Sequence, residues 1–211
     1  MRPELSSRAA HGVDLGLLAW RFDRPMIVAS TAATGGGYGE RQWVLNLQVP
    51  HDYQRTDIER HVAEMAGELQ LRGEGVGMLT AASVRDVAHA HEMGVDVWAT
   101  VGVKKPIWAA SVEHVDQDHA APGTINIVAV LPARLTGGGL LNALTTVTEA
   151  KSQALWDGGI AATGTASDAV CVVCPASDTS DPFGGPRSVW GSRLARAVHR
   201  AILSGLEGGD R

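Results

Sequence analysis

Lys151 stands where a cation is least expected. Between Gly137-Gly138-Gly139, which break the chain, and Gly158-Gly159, which end the next segment, the pattern predicts a helix from about Leu140 to Trp156. At 100° per residue, Leu140, Leu144, Val147, Lys151, Ala154 and Leu155 share one side, while Asn142, Thr145, Thr146, Glu149, Ser152 and Gln153 share the other. An ammonium inside an apolar stripe is expensive unless an anion pairs with it or its methylene stem carries it to water. A paired lysine can serve chemistry and a snorkelling one is a surface cation, so both readings stay open. Glu149 lies about 200° around the helix from Lys151, so one pocket does not receive both side chains from this helix. Asp168, in the polar loop Thr163-Gly164-Thr165-Ala166-Ser167-Asp168, is the natural counter-ion; its plainer alternative is a turn cap.

Two buried strands flank that helix. Pro122-Gly123 signals a turn, and the β-branched run Thr124 to Leu131 follows, with Thr124 and Asn126 on one face, able to donate or accept toward an amide. Ala169 to Cys174 forms the second strand. Cys171 and Cys174 make a C-x-x-C, but positions i and i+3 of a strand point to opposite faces, so they read as small core residues rather than a redox or metal pair. Upstream, Thr34 to Gly39 is a glycine-rich loop able to bring backbone N–H groups to an oxyanion, although it lacks the lysine and the following helix of a phosphate loop; a plain hairpin is the alternative. His89 and His91 share a face of a predicted hairpin. Asp86, Glu92, His114 or His119 would have to complete a zinc site there, and none has a recognisable spacing, so a solvated face is favoured and no metal is assigned.

The rest of the chain supplies scaffold. Residues 1–13 read as a mobile tail, and 14–211 as a single domain. Leu17 to Phe22 and Met26 to Ser30 read as two strands flanking the turn Asp23-Arg24-Pro25. Trp43 to Val49 forms a strand, Asp57 is suited to open a helix from Ile58 to Leu71, and Gly75 to Thr80 forms another strand. Lys104 to Ala121 is a loop rich in Trp, His and acidic residues, and a last helix runs from about Val189 to Leu203. About eight strands and three helices, mostly joined by connections too short for a crossover, predict an α+β fold. Its mixed, mainly antiparallel sheet would pack against about three helices in a layered sandwich. A net charge of −5 without a basic stripe argues against a nucleic-acid binder. No apolar run is long enough to span a membrane, and the N-terminus lacks the apolar segment of a signal peptide; a cytoplasmic, soluble protein is expected.

Six blocks in register make the sequence similar to the adenosylcobinamide amidohydrolase family: GGGYGERQWVLNLQVP, GVGMLT, VDVWATVGV, PGTIN, NALTTVTEAKSQAL and TGTASDAV. The likeness runs from roughly Trp20 to Ala201. Ser167 departs from it, since a second threonine is more usual there, but the hydroxyl is kept.

The resemblance implies hydrolysis of the amide between the aminopropanol arm and the corrin ring, yielding adenosylcobyric acid in corrinoid salvage. The corrinoid is then substrate, not cofactor. Amide hydrolysis needs a nucleophile, a proton carrier and an oxyanion stabiliser. On that reading Asp168 or Glu149 activates a water or a threonine hydroxyl, foremost Thr165, and Lys151 or Asn126 stabilises the developing charge. Substrate contacts are expected from Thr124, Asn126, Asn46, Gly36, Gly37, Thr163 and Ser167, and Tyr38, Trp43, Trp98 and Trp108 would wall a wide cleft. Two alternatives remain: a corrinoid-binding protein without turnover, and a different amidase of the self-cleaving threonine type, cut ahead of Thr124 or Thr165. Assembly into a homo-oligomer is left open.

Overall fold

The structure, a computed structural model, describes residues 1–10, 12–112 and 123–208. Among them the strands are β1 (Glu4–Ala10), β2 (Val13–Ser30), β3 (Gly37–Gln48), β4 (Gly75–Thr80), β5 (Ala88–Glu92), β6 (Val95–Gly102), β7 (Thr124–Val130) and β8 (Ala169–Pro175). The α-helices are α1 (Ile58–Glu68), α2 (Gly137–Asp157) and α3 (Val189–Gly208). The strands form one sheet in the order β4-β3-β2-β8-β7-β6-β5, with β1 added to β2. Only β3–β4 and β7–β8 pair in parallel, and these are the two connections that carry a helix, α1 and α2. The expected α+β sandwich with a mixed, mainly antiparallel sheet is what the chain adopts.

Alternation along the strands decides the layers. Ile125, Ile127 and Ala129 of β7, with Val170, Val172 and Cys174 of β8, face α2 and α3 and pack on Leu140, Val147, Leu155, Leu194 and Val198. The intervening Val128, Cys171 and Val173 face the other way and meet Leu18, Trp20, Val44 and Met78, because the sheet folds back on itself. The outer face of β2 and β3 carries Leu17, Ala19, Leu45 and Leu47, which α1 covers with Val62, Met65 and Ala66. The two cysteines are free, buried and on opposite faces, as the strand period requires; burial pushes the Cys171 thiol up to about 12.

Several local expectations give way to tertiary pairing. In place of a mobile tail over residues 1–13, Glu4–Ala10 pair antiparallel with Val13–Ala19. The two strands expected around Asp23-Arg24-Pro25 are one 18-residue strand. Its register against β3 shifts between Arg21 and Met26, so the turn residues form an irregularity inside a continuous partnership. Gly37, Tyr38 and Gly39 belong to β3 rather than to a loop. Gly137-Gly138-Gly139 do not break the chain: they form the first turn of α2, capped by Thr136, whose Oγ1 accepts from Gly139 N at 3.1 Å. Asp57 makes no side-chain cap; Arg55 takes both its oxygens at 2.8 Å. Thr146, placed on the polar side of α2, is buried and donates to Gly184 O at 2.9 Å. No helix among the described residues is long and apolar enough to cross a membrane.

Candidate active site

The first three residues of β7 tie together every polar group of the candidate site. Thr124 and Asn126 point between the two halves of the folded sheet, whereas the Ile125 side chain points toward α2, following strand alternation. Parallel pairing of β7 and β8, with Asn126 opposite Ala169, brings the loop before β8 alongside these three residues.

Asp168 is the centre of the helix-side group. Its Oδ1 accepts from Ile125 N at 2.9 Å and from the Thr165 hydroxyl at 2.5 Å. Its Oδ2 accepts from Thr165 N at 3.1 Å and forms an ion pair with Lys151 Nζ. The Lys151 and Asp168 side chains are only 8% and 10% exposed, which resolves the anomaly on α2: the lysine does not snorkel but is paired inside. Removing either charge would leave the other buried, a loss of about 3–5 kcal/mol for pairs of this kind. Gly164 makes the approach possible, since a Cβ there would overlap both Asp168 Oδ2 and Lys151 Nζ.

A second group lies between the sheet halves. Asn126 Nδ2 donates to Asn46 Oδ1 at 2.8 Å and to Leu79 O at 2.9 Å, and Asn46 Nδ2 donates to Thr100 Oγ1 at 3.1 Å. Leu79 O can only accept, so it fixes the orientation of the Asn126 amide and leaves Oδ1 as the unspent atom. That oxygen is buried and has no partner among the described residues, and Asn126 as a whole is 2% exposed. A buried acceptor without a donor is costly, and a bound N–H or O–H would relieve it. Thr124 connects the two groups: its Oγ1 lies 2.7 Å from Ser167 Oγ, one residue before Asp168.

Not all expected residues join this network. Glu149 is exposed on the far side of α2. Thr163 spends its hydroxyl on the chain before the site, accepting from Ala109 N at 2.8 Å and donating to Ile107 O at 3.3 Å. Gly36 lies in the β2–β3 turn and Gly37 opens β3; Arg41 donates to Gly35 O at 3.0 Å and to Gly36 O at 3.3 Å, so the turn presents carbonyls to an arginine. Trp43 and Trp98 are core residues and wall no cleft, whereas Tyr38 and Trp108 are exposed. Trp108 is accompanied by Trp156, at 6.0 Å between ring centroids. His89 and His91 both contact Asp96 Oδ1, at 2.9 and 3.0 Å, and no group of three ligand-type side chains among the described residues could hold a metal ion. His114 and His119 lie outside the described residues.

Three contributors escape sequence reasoning. Thr100 and the Leu79 carbonyl are brought to Asn46 and Asn126 by the folding of the sheet, and the Ile125 N–H is a backbone group with no side-chain signature.

Comparison with known proteins bears on the family. The sequence profile of the family described as adenosylcobinamide amidohydrolase matches residues 3–209. A Methanosarcina mazei protein named adenosylcobinamide amidohydrolase is 30% identical over 188 residues, covering 85% of this chain and 90% of its own. A Halobacterium salinarum protein of the same name is 26% identical, covering 83% of this chain and 78% of its own. Among solved structures, the PH0078 protein of Pyrococcus horikoshii OT3 superposes with a TM-score of 0.55 over 98% of this chain and 84% of that one; at 13% identity it supports the fold alone. The chain belongs to the adenosylcobinamide amidohydrolase family.

Proposed function

We propose that the chain hydrolyses the amide joining the aminopropanol arm of adenosylcobinamide to the corrin ring, releasing adenosylcobyric acid and aminopropanol as a cytoplasmic step of corrinoid salvage. Family membership supports the substrate class. One observation carries the chemistry: the Thr165 hydroxyl donates to Asp168 Oδ1 while Lys151 holds the other carboxylate oxygen. A hydroxyl bonded to a carboxylate is the contact an activated oxygen nucleophile requires. In this reading the corrinoid is substrate, and the protein's own side chains supply the groups.

Thr165 Oγ attacks the amide carbonyl carbon, and its proton passes to Asp168. The new oxyanion is stabilised by the Lys151 ammonium; the Asn126 amide, expected from the sequence as an alternative, has both its N–H groups committed to Asn46 and Leu79. As the C–N bond breaks, the proton held on Asp168 is delivered to the departing aminopropanol nitrogen. The resulting ester on Thr165 is hydrolysed by water, which leaves the carboxylic acid of the corrin ring and restores the hydroxyl. Asn126 Oδ1 is suited to accept the N–H of the scissile amide, and Thr124 and Ser167 line the approach.

A second reading has its own support. All four acceptor directions of the Asp168 carboxylate are occupied, as in a carboxylate whose role is to hold a loop. On that reading the protein binds corrinoids without turning them over. Incubation with adenosylcobinamide, followed by chromatography of the corrinoid and assay of the amine, separates the two. Adenosylcobyric acid with an equal amount of aminopropanol supports hydrolysis. A corrinoid that is bound but unchanged supports the binder, and one neither bound nor changed overturns both.

A further inference from the structure

A polar cavity lies away from Asp168, between the N-terminal strand and α1. It encloses about 390 Å³, and its lining includes the cations Arg8 and Arg55, the carboxylate of Asp52, and Tyr53, Gln54 and His61. The register of β1 on β2 sets Arg8 opposite Leu15. His61, on α1, is buried; its Nδ1 lies 2.7 Å from Tyr53 OH and its Nε2 lies 3.3 Å from Arg8 Nη2, while the Tyr53 ring stacks on the imidazole.

The protons of this cluster can be assigned by elimination. A guanidinium has donors only, so His61 Nε2 must accept from Arg8. In the neutral imidazole the proton then sits on Nδ1 and is donated to the Tyr53 oxygen. Burial, with Arg55 and Arg8 nearby, lowers the His61 pKa and keeps the ring neutral; burial also raises that of Tyr53 and keeps its hydroxyl protonated. The Tyr53 oxygen is therefore occupied as an acceptor, and its O–H remains to be spent. A second donor is unspent as well: Arg8 Nε is buried with no partner among the described residues. Arg55, by contrast, is neutralised by Asp57 and Glu64. A guanidinium that forms no ion pair among the described residues and one free phenolic donor thus line the same cavity, beside Asp52.

We infer that this cavity is an oxyanion-binding site, taking a carboxylate or phosphate-type group between Arg8 and Tyr53, separate from the Lys151–Asp168 centre. The buried His61 holds both donors in place, which limits the ordering cost of binding. The site does not depend on the amide-hydrolase reading.

Titration of the whole protein with sulfate and with acetate, at constant ionic strength set by chloride, tests it by calorimetry and melting temperature. Saturable binding of at least one anion above the chloride control is expected, and which one binds tells a phosphate-type from a carboxylate ligand. Tyr53→Phe keeps the ring on His61 and removes only the O–H; it is expected to weaken binding about tenfold or more while corrinoid turnover is unchanged. Arg8→Gln is expected to abolish binding. The proposal is overturned if neither anion saturates, which would mean that water alone fills the cavity. It is equally overturned if folded Tyr53→Phe and Arg8→Gln proteins both bind as the unaltered chain does.

Discussion

Thr165 and Asp168 are bonded twice, hydroxyl to Oδ1 and backbone N–H to Oδ2, so a four-residue turn aims one side chain at the other. If the hydroxyl is the nucleophile, Thr165→Ser keeps it and retains measurable turnover. Thr165→Val preserves the shape without the oxygen and is expected to lower kcat by about 10²–10⁴-fold. Steady-state kinetics on adenosylcobinamide reads both. Turnover by the valine variant close to the original would move the nucleophile to water.

The ion pair makes a different forecast. Asp168→Asn and Lys151→Met, made singly, each strand a buried charge or donor and are expected to lose turnover and about 3–5 kcal/mol of stability. Made together they remove both charges, and most of the stability should return while turnover does not. Urea unfolding of the three variants checks this. A double variant as unstable as the sum of the singles would mean that the two groups are not coupled.

Gly164 is a test of geometry alone. Gly164→Ala adds one methyl where Asp168 Oδ2 and Lys151 Nζ already meet, so the loop must move and the pair must part. Loss of turnover with a lowered melting temperature is expected, although no ionisable group has changed. Normal activity would show that the pair tolerates separation.

Glu149 separates the two carboxylates proposed from the sequence. It is exposed, while Asp168 is enclosed. Glu149→Gln is expected to keep turnover close to that of the unaltered chain and to shift stability by no more than about 0.5 kcal/mol. A large drop in kcat would return Glu149 to the mechanism.

Lys151 was legible because it violates its helix's pattern, and Asp168 because it is the nearest acid in a polar loop that precedes a buried strand. Their environment was less so. The partners of Asn126 lie 80 residues away at Asn46 and 47 away at Leu79, and only the folding of the sheet brings them together. Local signals also misled where tertiary pairing outweighed them. Residues 4–10 have no apolar alternation, yet β2 is long enough to recruit them as an edge strand. Asp23-Arg24-Pro25 carries turn chemistry, yet β3 pairs with the chain on both sides of it. Trp43 and Trp98 suggested an aromatic wall by type, but their strand positions face the core.

The His61 cluster predicts how stability responds to acid. Burial first, then Arg55 and Arg8, hold the folded-state pKa of His61 below its ordinary value of 6.5; Tyr53, Asp57 and Glu64 also face it. Between those two values the unfolded chain binds a proton that the folded chain refuses, so stability rises with pH across that window. This contribution is complete above about pH 6.5 and is lost as pH falls below it. His61→Gln keeps an acceptor for Arg8 but does not titrate. It should be less stable than the unaltered chain at pH 7.5 and lose less on going to pH 5.5. Urea unfolding of both proteins at the two pH values measures the difference. Equal losses in the two proteins would show that His61 is not the group responsible.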